Sequence, residues 1–131
     1  CHSIETIETK GRTMTESPMR ERLHEVESLL STLGKSHPNE VQAFMNFMGK
    51  AESGPALSGK QKELVNVALS VAAQCEWCIA FHVKQAAHAG AKRDELIEAG
   101  FLAVLMHGGP AMMYMTPLLK ALDEFGLPAA V

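Results

Sequence analysis

The segment Leu64-Val-Asn-Val-Ala-Leu-Ser-Val-Ala-Ala73 constrains this chain more than any other feature. As a helix it has little polar face to show water, and a helix that is apolar nearly all round belongs in an interior or at a subunit contact. Residues 101–106 (FLAVLM) and 111–115 (AMMYM) pose the same problem again. Strands offer no way out, because no alternating apolar/polar stretch and no Asn-Gly type hairpin turn occurs. The hydrophobic 47% is carried by Ala, Leu, Val and Met, with one Trp and one Tyr, a composition that suits helices. The expectation is an all-α bundle of about six helices. At 131 residues the chain is about one domain. So much unshielded apolar helix in so small a body predicts a homo-oligomer over a tightly wrapped monomer.

Punctuation residues place the elements. Residues 1–13 (CHSIETIETKGRT) are polar and lack a helical stripe, so an arm over about 1–15 is expected to precede a single helical domain over 16–131. Ser17-Pro18 reads as an N-cap followed by proline at the first helical position, opening a helix that ends at Gly34. Pro38 opens the second, and 52–58 (ESGPALS) is a loop. Ser58 or Gly59 starts the third, through about Ala73. The fourth carries Cys78 and His82 and stops at Gly90, and the fifth covers about 93–106. After the Gly108-Gly109-Pro110 break a sixth runs to about Phe125, with Pro117 expected to kink or split it.

Charge and cysteine usage narrow the function classes. Lys plus Arg is 12 against Asp plus Glu 15, a net charge of −3, which argues against a nucleic-acid surface or a polybasic membrane patch. No run approaches the ~20 apolar residues of a membrane span. Three cysteines are too few for a secreted disulfide scaffold, so a cytoplasmic protein is expected.

The chemistry-bearing constellation is Cys75-Glu-Trp-Cys78-Ile-Ala-Phe-His82. Positions i, i+3 and i+7 fall on one narrow face of a helix. A cysteine near a helix start, or beside a histidine, is biased toward the reactive thiolate. Two cysteines three apart on a helical turn also bring their Cα atoms within the ~4.4–6.8 Å that a disulfide requires. Glu63, twelve residues before Cys75, joins the site only if the chain reverses. In one straight helix it would lie ~18 Å from Cys75. With a reversal near residues 72–75, Glu63 faces His82, Asn66 or Val67 faces Cys78, and Ser70 faces Cys75. The stripe Glu63–Asn66–Ser70–Gln74 would then line the thiols. No Gly, Pro or Asn marks that turn, yet the reversal is the expectation.

Other readings of the pair compete. Tetrahedral structural zinc wants four ligands, and Cys75, Cys78 and His82 supply three, with His88 roughly 80° off their stripe. Haem attachment needs His directly after the second Cys, where Ile79 stands. A thioredoxin fold needs strands. Two cysteines buried together for packing alone remain the plain alternative. Trp77 reads as packing that shields the thiols, and His24 and His37 as surface residues. His107 reads as a partner for the dipole at its helix end, ahead of the alternative that it lines a pocket.

At Glu63, Cys75, Cys78 and His82 the chain resembles the AhpD-like branch of the carboxymuconolactone decarboxylase superfamily, whose core carries Glu, then CxxC, then His four residues on. The resemblance runs from about Leu57 through His107 and more weakly into the closing helix. It implies an all-α fold, homo-oligomers (trimers or hexamers) and thiol-dependent reduction of hydroperoxides, with no cofactor and no metal. By that analogy Cys78 attacks the peroxide, Cys75 resolves the sulfenic acid to a disulfide, and His82 with Glu63 relays protons. A dithiol donor, lipoyl-bearing or thioredoxin-like, would close the cycle. The chain departs from the pattern at Trp77, where well-characterised alkyl hydroperoxidases carry a second His. A non-redox decarboxylase-type enzyme using His82, and a non-catalytic helical module with structural or zinc-binding cysteines, are the alternatives.

Overall fold

Prolines and glycines set most of the boundaries in the computed structural model, which describes residues 17–129. The expected arm over 1–15, with Cys1, lies outside the described residues. Among the described residues seven helices follow one another: α1 (Pro18–Ser36), α2 (Pro38–Ala51), α3 (Gly59–Ala72), α4 (Glu76–His88), α5 (Arg93–His107), α6 (Gly109–Met113) and α7 (Met115–Glu124). Among the described residues there is no strand. The expected all-α bundle is what forms.

Three ends differ from the sequence reading, each for a physical reason. α1 runs past Gly34 to Ser36, because what stops it is Pro38, which pushes the preceding His37 out of helical geometry. At its start, the Ser17 side chain does not cap the helix. The Glu124 carboxylate, from the far end of the chain, accepts from Met19 N–H at 3.0 Å and Arg20 N–H at 2.9 Å instead. The last predicted helix is two, α6 and α7, meeting at Tyr114. Pro117 lies in the first turn of α7, where its missing N–H is one of those a helix start leaves free.

The core is built where α3, α4, α5 and α7 meet. Val67, Val71, Ile79, Val83, Leu96 and Leu118 are fully buried there. Gly100 lets α5 approach α7 closely, since a Cβ at that position would stand 2.7 Å from Met115 Sδ and 2.9 Å from Leu118 Cδ2. α2 buries no residue. Its Phe44 and Phe47 are exposed, as are Leu102, Leu105 and Met106 on α5 and Met113 on α6. The apolar segments singled out in the sequence therefore fill the interior on one side and face outward on the other. No helix of the described residues is long and apolar enough to cross a membrane.

Candidate functional site

The site is made by the turn between α3 and α4. Ser58 opens α3 with a capping box: its Oγ accepts from Gln61 N–H at 3.1 Å, and its own N–H donates to Gln61 Oε1 at 2.9 Å. At the other end Cys75 N–H donates to Ser70 O at 3.2 Å and Gln74 N–H to Val71 O at 3.1 Å. That bond pattern requires a left-handed residue between helix and exit, and Gln74 takes it with φ 58°. The same closure ends α4, with Gly90 at φ 88°, and α7 keeps its longer bond, Leu127 N–H to Leu122 O at 2.8 Å, around Gly126 at φ 88°. The reversal expected from the sequence is present, achieved by a residue with no special fitness for it. Gln74 is exposed in the turn rather than continuing the stripe beside the thiols.

The reversal aligns α3 and α4 so that Ser70 meets Cys75 and Glu63 meets His82. Cys75 is the N-cap of α4, and its sulfur accepts from Cys78 N–H at 3.2 Å. Cys75 and Cys78 are joined as a disulfide with Cα atoms 5.3 Å apart. Cys78 is exposed and Cys75 half-buried. In this state the sulfurs present no thiolate pair to a zinc ion. A turn further along α4, His82 Nδ1 lies 3.0 Å from Glu63 Oε1. The Phe81 ring meets the imidazole edge-on, with centroids 5.1 Å apart.

Glu63 is only 8% exposed, so its carboxylate must be compensated. Asn66 donates from Nδ2 to Glu63 Oε1 at 2.8 Å and reaches Glu52 Oε2 at 3.4 Å. Burial pushes the Glu63 carboxyl up. The hydrogen bonds from His82 and Asn66, with the positive charge of a protonated His82, outweigh it and hold the group below the usual carboxylate range. Ser70 turns its hydroxyl back to Asn66 O at 2.7 Å. Of the predicted polar stripe, Asn66 thus serves the acid and Ser70 serves its own helix.

Two features were not foreseen. Glu52, the C-cap residue of α2, brings a second carboxylate beside Glu63 and His82. A cavity of about 310 Å³ opens over this corner, lined by Glu52, Lys62, Glu63, Gln85 and His88 among others. Trp77 does not shield the thiols as expected: it is 46% exposed, and its indole N–H donates to Glu25 Oε1 on α1 at 3.0 Å. The Arg22 guanidinium lies 5.6 Å from the ring centroid and also holds Glu25, at 2.8 Å. Hydrogen bonds from Trp77 and Arg22 lower the Glu25 carboxyl below its ordinary range. His24 and His37 are exposed, as expected, and His107 is exposed in the last turn of α5.

Comparison with known proteins shows the family. The model of the carboxymuconolactone decarboxylase family matches residues 38–121. An uncharacterized protein of Cupriavidus necator is 34% identical over 105 residues, which is 80% of this chain and 93% of that one. Uncharacterized protein 4 of the cox locus of Paracoccus denitrificans is 39% identical over 69 residues, 53% of this chain and 62% of that one. A similar crystal structure is that of a carboxymuconolactone decarboxylase family protein from Legionella pneumophila in its apo form. It has a TM-score of 0.80 and 35% identity, covering 83% of this chain and 97% of that one.

Proposed function

The chain belongs to the carboxymuconolactone decarboxylase family, and from that premise we propose that it is a thiol-dependent peroxidase reducing alkyl hydroperoxides through Cys75 and Cys78. The observation that carries the reading is the bonded pair at a helix N-terminus, with His82 one turn on and hydrogen-bonded to buried Glu63. Reduced Cys78, exposed and one turn from the imidazole, attacks the peroxide oxygen as a thiolate and breaks the O–O bond. The alkoxide takes a proton passed through His82 and leaves as the alcohol, and Cys78 becomes a sulfenic acid. The Cys75 thiolate attacks that sulfur, forming the disulfide, and hydroxide departs with a second proton as water. Glu63 holds Nδ1 of His82, which orients the ring and leaves Nε2 to handle the protons.

The N-cap position of Cys75 suits the return half of the cycle. A dithiol donor, lipoyl-bearing or thioredoxin-like, attacks the exposed Cys78 sulfur. Cys75 leaves as a thiolate stabilised by the Cys78 N–H and the helix dipole. The donor is thereby oxidised to its own disulfide. This chemistry is set in the cytoplasm and needs no further cofactor. The exposed apolar face of Leu102, Leu105, Met106 and Met113 supports assembly as a homo-oligomer, a trimer or hexamer, which equilibrium sedimentation would measure.

The test is a thiol count before and after one equivalent of alkyl hydroperoxide on the reduced protein. Loss of both thiols with one alcohol formed is expected, and Cys75→Ser and Cys78→Ser should each abolish turnover with a dithiol donor. Turnover persisting in both variants would end the reading. Activity on a carboxylactone that survives alkylation of both thiols would replace it with a non-redox one using His82.

A further inference from the structure

Glu52 has no task in the reaction above, yet one ligand-capable atom from each of Glu52, Glu63 and His82 lies within 4.8 Å of the other two. Three separate segments deliver them: the C-cap of α2, the N-terminal half of α3 and the middle of α4. An imidazole nitrogen with two carboxylate oxygens is a mixed donor set of the kind that first-row divalent cations take. The 3.0 Å between Glu63 Oε1 and His82 Nδ1 is also a spacing that two ligands at ~2.1 Å from one ion adopt.

The charge balance of this corner points the same way. Glu63 is buried, and Glu52 half-buried beside it. The neighbouring cation, Lys62, does not pair with either carboxylate. Its ammonium donates to the backbone oxygens of Glu52, at 2.9 Å, and of Gly54. Among the described residues His82 alone forms an ion pair with Glu63, and only when protonated. The neutral Asn66 amide reaches both acids in place of a charge. The adjoining cavity gives an ion access and leaves room for water to complete its coordination.

We propose that Glu52, Glu63 and His82 bind one divalent transition-metal cation, with Asn66 supporting the two carboxylates from outside the coordination sphere. A bound cation takes Glu63 Oε1 and His82 Nδ1, the same atoms that pair with each other in its absence. Occupancy therefore removes the proton relay from the thiols and inhibits turnover. That inhibition rests on the function proposed above; the binding does not.

The experiment titrates Mn²⁺, which has little affinity for thiols, into the full chain with its disulfide intact, reading free aqueous Mn²⁺ by its six-line EPR spectrum. One ion per chain is expected, weakened at least ~10-fold by Glu52→Gln and by His82→Gln, with circular dichroism confirming that both variants fold. His24→Gln, at an exposed histidine of α1, should leave binding unchanged. A free signal undiminished up to about 1 mM Mn²⁺, or equal binding by wild type and Glu52→Gln, overturns the site. Mn²⁺ binding by a chain that lacks peroxide turnover would retire the peroxidase reading and leave the cation site standing.

Discussion

Replacing Gln74 by glycine should make the chain more stable, by an amount the turn itself sets. Among the described residues three helices end with a bond from an N–H to the carbonyl five residues back, and two of them place glycine at the left-handed position. The third places Gln74 there, at φ 58°. An L-residue in that conformation costs roughly 1–2 kcal/mol through the clash of Cβ with the following carbonyl. Glycine relieves the clash but gains conformational freedom in the unfolded chain, returning roughly 0.5–1 kcal/mol. The Gln74 side chain is exposed, so little packing is lost. The net is a gain of about 0.5–1 kcal/mol. Urea unfolding without reductant should show a higher midpoint at unchanged slope, and thermal melting a rise of roughly 2–5 °C. Gly90→Gln, the converse change, should lose about 1 kcal/mol. A Gln74→Gly chain that is less stable than wild type, or a Gly90→Gln chain that is indifferent, would refute the assignment of strain to this turn.

Three further outcomes follow from the packing and charge. Gly100→Ala should destabilise by about 1–2 kcal/mol, since overpacking against Met115 and Leu118 exceeds the helix-propensity gain, and chemical denaturation would show it. Glu124→Ala removes the acceptor for two N–H groups at the start of α1. It should cost about 1–2 kcal/mol, while Ser17→Ala costs less than half of that in the same assay. Glu63 is held below the usual carboxylate range when folded, so its contribution is full above its unfolded pKa and lost as pH falls through the lower folded one. With EDTA present, wild-type stability should fall with acid in that window more steeply than that of Glu63→Gln, by up to about one proton in slope. Parallel curves would deny Glu63 that role.

Most helix boundaries were legible because Pro18, Pro38, Ser58 and the glycines at 90 and 108 act locally. The facing of Glu63 and His82 was legible for a different reason. Once two neighbouring helices run antiparallel, the position of the turn fixes every pair between them. What escaped depends on distant partners. Glu52 ends a helix that buries nothing, so no periodicity marks it as part of a site. Trp77 meets Glu25 across 52 positions, and Glu124 caps α1 across 105. Gln74 escaped because the sequence signal for a left-handed residue is glycine or asparagine, whereas here the two packed helices impose the conformation.

Trp77 gives the chain an optical gauge of the state of its disulfide. It is the one indole in the sequence, held to α1 and flanked in the chain by the two bridged sulfurs. A neighbouring disulfide quenches indole emission, so reduction should brighten the fluorophore and each oxidation should dim it again. Stopped-flow fluorescence can therefore time reduction and reoxidation of the Cys75–Cys78 bridge separately on unlabelled protein.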